Sequence, residues 1–183
     1  VPMPLVQTIL VPLDFSDCSH HLVQHATGLA QQLGARLRLL HVYEAPRGLS
    51  LKAELHPAAH PEGVRVESWV KEDVERRMPV FDAIAREANV GATHRLAFGD
   101  VAPTILAVAE EEKVDMILMG THGRSGVIRA WMGSVAEAVL REATIPVMTL
   151  RTQHHPGCKA ASCSVCSLGK TPVEKAILGE VEG

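Results

Sequence analysis

The stretch Gln7 to Leu13, QTILVPL, is apolar almost without interruption. A strand with one face in water alternates apolar and polar side chains, so an unbroken run predicts a strand covered on both faces, inside a parallel sheet. The chain that follows keeps to this plan. Ser16 stands where it can cap a helix, and Leu22, Val23, Ala26, Leu29, Ala30 and Leu33 recur at helical steps until Gly34, placed to close the helix in a left-handed conformation. Ala35 to Tyr43, ARLRLLHVY, alternates and then runs apolar, which predicts a second strand. In a β-α-β start of this kind the crossover brings the chain back in its original direction, so the sheet is expected to be parallel.

The rhythm breaks between Glu44 and Arg65, where Pro46, Gly48, Pro57, Pro61 and Gly63 interrupt any period. The reading here is a long surface excursion with a helical turn around Leu51 to Leu55, of the kind that often serves as a lid or a partner surface. Helical spacing resumes from Glu67 to Asn89, with Pro79 expected to kink or split the helix. Thr93 to Phe98 predicts a third strand. Asp100 as N-cap, with Pro103 in the first turn, opens a helix over Val101 to Glu111. Met116 to Met119, closed by Gly120, is a fourth strand; a helix then runs to Ala143, and Pro146 to Leu150 is a fifth strand. This alternation predicts an α/β fold with a single doubly wound, mostly parallel five-stranded sheet and helices on both faces, flavodoxin/Rossmann-like, in the order 2-1-3-4-5 or a near relative. Residues 1–151 would form this domain and 152–183 a tail.

The chemistry concentrates between the fourth strand and the last helix. Gly120, Gly123 and Gly126 fall at a spacing of three, and Gly133-Ser134 opens the helix that carries Val135, Val139 and Leu140. Without Cβ atoms a backbone can approach an anion closely, its N–H groups can point inward, and a helix start adds partial positive charge, so the segment reads as a nucleotide-phosphate cradle. The plainer alternative is a βα loop whose glycines only ease packing. In doubly wound sheets ligands sit at the carboxyl ends of the strands where strand order reverses. If the fourth strand neighbours the first there, Asp14 faces the glycine loop. Asp14 can then accept from two vicinal hydroxyls; its alternative role is a cap on the following helix.

Whole-chain properties narrow the function classes. The chain has 183 residues, 46% hydrophobic and 21% charged, with a formal charge of -3. That balance suits one globular domain with a tail and supplies no electrostatic footprint for nucleic acid. No apolar stretch approaches the length needed to span a bilayer, and the opening VPMPLVQTILVPLD lacks the layout of a signal peptide, so a cytoplasmic location is expected.

The segments ILVPLDFS, LLHVYE, DMILMGTHGRSG and MGSVAEAVLREATIPVMTLR resemble the universal stress protein family. The loop matches the form G-x2-G-x9-G-[ST] that marks its ATP-binding members, as Gly120, Gly123, Gly133 and Ser134. The resemblance covers about residues 5 to 151. It implies an adenine-nucleotide-binding domain, usually a homodimer, acting in stress tolerance or regulation. It also implies that Asp14 holds the ribose hydroxyls, that Pro12 and Val42 border the base, and that Met119 lies at the lip of the loop. Gly120, Gly123, Arg124, Gly133, Ser134 and Val135 would surround the phosphates. Apart from the resemblance, Mg²⁺ can ride with those phosphates, although no second carboxylate is placed to hold a metal. Residues 44 to 65 and the tail depart from the compact family pattern.

Other candidates stand apart. His122 lies in the loop with no placed partner, so a catalytic role is not assigned to it. Gly169-Lys170-Thr171 imitates the end of a Walker A loop, but Ser164 takes the place of its first glycine and no strand precedes it. In the tail, Cys158, Cys163 and Cys166 with His155 or His154 have the ligand types of a tetrahedral Zn²⁺ site. The same cysteine spacing occurs in iron–sulfur proteins, with Cys18 as the one remaining cysteine, and free thiols in a flexible tail are a third reading. His20, His21 and His25 are expected to be solvated or capping residues. The function expected is a nucleotide-dependent regulatory module read by a protein partner and dimeric through the last strand, 146–150. A slow ATPase or phosphotransferase, and an ATP-independent metal or redox sensor, are the rivals.

Overall fold

A computed structural model describes residues 6–57, 60–121 and 132–151. Its centre is β1 (Thr8–Leu13), flanked in parallel by β2 (Arg36–Tyr43) on one side and β6 (Met116–Gly120) on the other. β5 (Ala92–Phe98) pairs with the outer side of β2 and β7 (Val147–Leu150) with the outer side of β6, both parallel, giving the order β5-β2-β1-β6-β7. The doubly wound, parallel α/β fold is therefore as expected. Counted along the chain, the five sheet strands run 3-2-1-4-5, a near relative of 2-1-3-4-5. The helices give the reason: α1 (Asp17–Leu33) and α2 (Val66–Glu87) bury their apolar stripes on the same face, so the second crossover continues outward where the first left off. α3 (Val101–Glu111) and α4 (Ser134–Glu142) cover the opposite face, and the chain returns beneath the sheet to lay β6 against β1.

The two-residue period of the strands divides their side chains between these layers. Ile9, Val11, Leu13, Leu37 and Leu39 meet Val23, Ala26, Val70, Val74 and Met78 on the α1/α2 side. Leu10, Leu40, Ile117 and Met119 meet Ile105, Val108, Ala136 and Val139 on the other. At the end of α1, Gly34 adopts the left-handed conformation with φ 65°, and the N–H of Ala35 donates to Ala30 O at 2.9 Å.

Several local expectations are corrected. Around residues 51 to 55 there is a single hydrogen-bonded turn, Ala53 N–H donating to Ser50 O at 2.9 Å, and then no helix; β3 (Glu54–Leu55) pairs antiparallel with β4 (Val64–Arg65), which runs straight into α2. Leu51, Ala53 and Leu55 alternate with exposed Lys52 and Glu54 and pack on the α1/α2 core, a period-2 signal too short to stand out in the sequence. This packed segment also caps α2, because Val66 N–H donates to Ala53 O at 3.0 Å and Glu67 N–H to Leu51 O at 2.9 Å. Pro79 does not split α2, which runs unbroken through it. Pro79 lies on the exposed face, so the carbonyl it cannot serve, that of Glu75, is on the water side. Ser16 and Asp100 occupy the N-cap positions of α1 and α3, yet neither side chain makes a cap hydrogen bond. No helix among the described residues is long and apolar enough to cross a membrane.

Candidate functional site at the strand-order reversal

The order reverses at β1, and a cavity of about 380 Å³ opens there at the carboxyl ends of β1, β2 and β6. β1 delivers Pro12 and Asp14 to it, β2 delivers Val42, β6 delivers Met119 and Gly120, and the start of α4 delivers Gly133, Ser134 and Val135. These are eight of the ten positions singled out in the sequence for a nucleotide. The other two, Gly123 and Arg124, lie with His122 and Gly126 outside the described residues, as do His154, His155, Cys158, Cys163, Cys166 and the rest of the tail.

Asp14 lies in a tight turn between β1 and α1. Its Oδ1 accepts from Ser16 N–H at 3.1 Å, from the Ser16 hydroxyl at 2.6 Å and from the Ser19 hydroxyl at 2.9 Å. The carboxylate is thus anchored to the start of α1, in keeping with its alternative role as a cap, and it also lines the cavity. This also explains the missing Ser16 cap: its hydroxyl donates backward to Asp14. The residue after Asp14, Phe15, is buried with φ 59°, a left-handed conformation uncommon for a bulky side chain.

The opposite wall begins where β6 ends. Thr121 N–H donates to Leu150 O at 2.9 Å, and Gly133 N–H donates to Thr121 O at 2.7 Å, so the two ends of the glycine-rich segment are tied together. A Cβ on Gly133 would stand 3.2 Å from Thr121 O, closer than side chains normally approach a carbonyl. The first intrahelical bond of α4 is Glu137 N–H to Gly133 O. The amides of Ser134, Val135 and Ala136 precede it, in residues that line the cavity, where the partial positive charge of the helix favours an anion.

Sequence reasoning missed further walls. Val101 and Ile105 reach the cavity from α3, and Ser19, Cys18, Leu40, His41 and Glu44 complete it. Val101 follows the carboxyl end of β5 as Asp14 follows that of β1, a positional cue that the strand pattern contained. Among the described lining residues the charged groups are the carboxylates of Asp14 and Glu44, with no Lys or Arg. The cavity is therefore polarised, with hydroxyl- and amine-accepting groups on the β1/β2 side, amide donors at α4, and apolar walls from Val42, Met119, Val101 and Ile105 between them. Cys18 is buried in α1. His20, His21 and His25 lie on the exposed face of α1, as expected. Among the described residues no group of His, Cys, Asp and Glu is arranged to hold a metal ion.

A doubly wound α/β domain with its crevice at the reversal point is what the fold and site define. Residues 6–151 match the family model described as "Universal stress protein family", and the chain belongs to that family. A universal stress protein of Thermus aquaticus is 34% identical over 152 residues, covering 80% of this chain and all of its own length. Among solved structures, universal stress protein MJ0577 of Methanocaldococcus jannaschii aligns with a TM-score of 0.69 at 22% identity, over 82% of this chain and 99% of that one. A universal stress protein in complex with cAMP aligns at 0.60 with 20% identity, over 82% of this chain and 100% of that one. One from Archaeoglobus fulgidus in complex with dAMP aligns at 0.55 with 19% identity, over 81% and 100%.

Proposed function

We propose that this protein is an ATP-binding regulatory module whose nucleotide lies in the cavity at the strand-order reversal. The observation that carries the reading is the polarity of that cavity. Asp14 is held by Ser16 and Ser19 on one wall, and the leading amides of α4 stand on another. A ribose with vicinal hydroxyls suits the first and phosphates the second; the reverse placement would set phosphate against carboxylate. Relatives of the same fold solved with cAMP and dAMP support an adenine nucleotide as the class of ligand. Pro12 and Val42 border the base, Met119 lies at the lip, and Gly120, Gly123, Arg124, Gly133, Ser134 and Val135 gather the phosphates with Mg²⁺. Isothermal titration with ATP tests this: Ser134→Ala and Gly123→Val weaken binding if the assignment is right, and unchanged affinity in both removes it. Turnover above about one per minute, slow on the scale of enzymes, would move the protein to the ATPase reading.

β7 is an edge of the sheet and Met148 on it is 42% exposed, which supports pairing with a second copy through residues 146–150. Sedimentation of the wild type against Met148→Lys reads this directly, with the variant shifted to monomer.

A further inference from the structure

We infer that His41 is a positioning residue for the nucleotide site: it fixes the peptide that carries Asp14, so that the carboxylate meets the ribose hydroxyls. The inference rests on the ribose role proposed above for Asp14. In the sheet register His41 lies opposite Leu13, the last residue of β1. Its Nδ1–H donates to Leu13 O at 2.8 Å, a bond between a side chain and the carbonyl that begins the turn. The Leu13 carbonyl and the Asp14 amide share one planar unit, so whatever holds that oxygen sets the direction in which Asp14 leaves the strand.

The imidazole is itself immobilised. It is 4% exposed, and its ring lies 4.3 Å from the ring of Phe15, centroid to centroid. Phe15 is the residue held at φ 59° and is packed in turn by Phe81 at 5.9 Å and by the Arg77 guanidinium 5.4 Å from its centroid. Arg77 is paired with the buried Asp73 at 2.9 Å, which ties this stack to α2. A left-handed conformation at a bulky residue is strained and persists where the surroundings over-determine it. The other two non-glycine residues with positive φ among those described, Asn89 and Lys113, follow the ends of α2 and α3, where helices commonly terminate this way. Phe15 follows no helix; its strain lies beside Asp14. His41 on one side of the turn and the Ser16 and Ser19 hydroxyls on the other thus hold both ends of the Asp14 unit, a preorganised acceptor for a vicinal diol.

The test compares ATP with 2′,3′-dideoxy-ATP, which lacks the hydroxyls but keeps base and phosphates. Both affinities are measured by titration calorimetry in the full chain. Wild type should prefer ATP by about tenfold or more, the effect of losing hydrogen bonds to a charged acceptor, and Asp14→Asn should prefer it much less. His41→Asn places an amide donor at the same reach as Nδ1 and should keep the wild-type preference. His41→Gln carries the same donor one atom farther out and should reduce the preference to under about threefold, because affinity for ATP falls more than affinity for the dideoxy nucleotide. A general loosening of the fold would weaken both nucleotides together. The inference is overturned if the Gln variant keeps the full preference, if Asn and Gln lose it equally, or if both nucleotides weaken in parallel. If wild type shows no preference between the nucleotides, the ribose role of Asp14 fails first and this inference with it.

Discussion

Two aspartates stand at opposite ends of β1 and are used in opposite ways. At the amino end, Asp115 Oδ2 accepts from the backbone N–H groups of Gln7 and Thr8, both at 2.9 Å. It closes the start of the strand against β6, and the cavity lies at the other end. At the carboxyl end, Asp14 is held by serine hydroxyls and one amide, follows a carbonyl pinned by a histidine, and borders a cavity of about 380 Å³. One carboxylate completes the sheet; the other borders the cavity proposed to hold the nucleotide. The same residue type ties two strands together where its partners are main-chain donors of the strand, and is held at a cavity wall where its partners are the serines that open a helix.

The sharpest way to break this contrast is at the far wall of the cavity. Gly133→Val presses Cβ and branched methyls on Thr121 O and displaces the α4 amides; ATP affinity should fall about a hundredfold, the loss of two charge-assisted hydrogen bonds, by calorimetric titration. Asp115→Ala should cost about 2 kcal/mol of stability in urea unfolding, because two main-chain donors lose a charged acceptor, and should leave ATP affinity unchanged. Asp14→Asn should do the reverse. Its amide oxygen can still accept from the serines, so the melting point should hold, while ATP affinity drops about tenfold, or about 1.4 kcal/mol. If Asp14→Asn destabilised the fold as much as Asp115→Ala does, the contrast would dissolve.

The smallest effect concerns pH and lies away from both ends. Hydrogen bonds from Arg38, ahead of those from Arg95, hold the Glu112 carboxyl below its ordinary value. A carboxyl whose pKa is lower in the folded state contributes stability that is complete above the unfolded value of about 4.5 and is lost as pH falls through the folded one. Glu112→Gln should therefore lower stability by about 1 kcal/mol at neutral pH, and the wild-type advantage should vanish in acid, read from urea midpoints across pH 3 to 7. ATP affinity at neutral pH should not change, since Glu112 does not line the cavity.

Most elements of the fold were legible in the sequence because burial on both faces leaves unbroken apolar runs and a helix on a sheet leaves a 3.6-residue stripe. The runs at 8–13 and 116–120 and the stripe through Val70, Val74 and Phe81 were of that kind, while 36–43 alternates before it turns apolar. The β3–β4 pair escaped because strands of two residues have no period to read. The cavity wall on α4 was legible as glycines at fixed spacing before a helix. The α3 wall was not: Val101 and Ile105 are apolar helix residues like any others until the helix is placed over the sheet. His41 escaped for a similar reason, since its role depends on facing Leu13 across the register.

By itself the sequence determined the five strands of the main sheet and the helices between them, and that residues 120 to 135 carry the composition of an anion cradle, because periodicity and glycine content act over one turn or one strand. Tertiary structure decided which strands are neighbours. That choice follows from which face of the sheet each helix buries, a sum over contacts far apart in the chain. It set β6 beside β1, and so brought Asp14, His41 and Gly133 to one cavity.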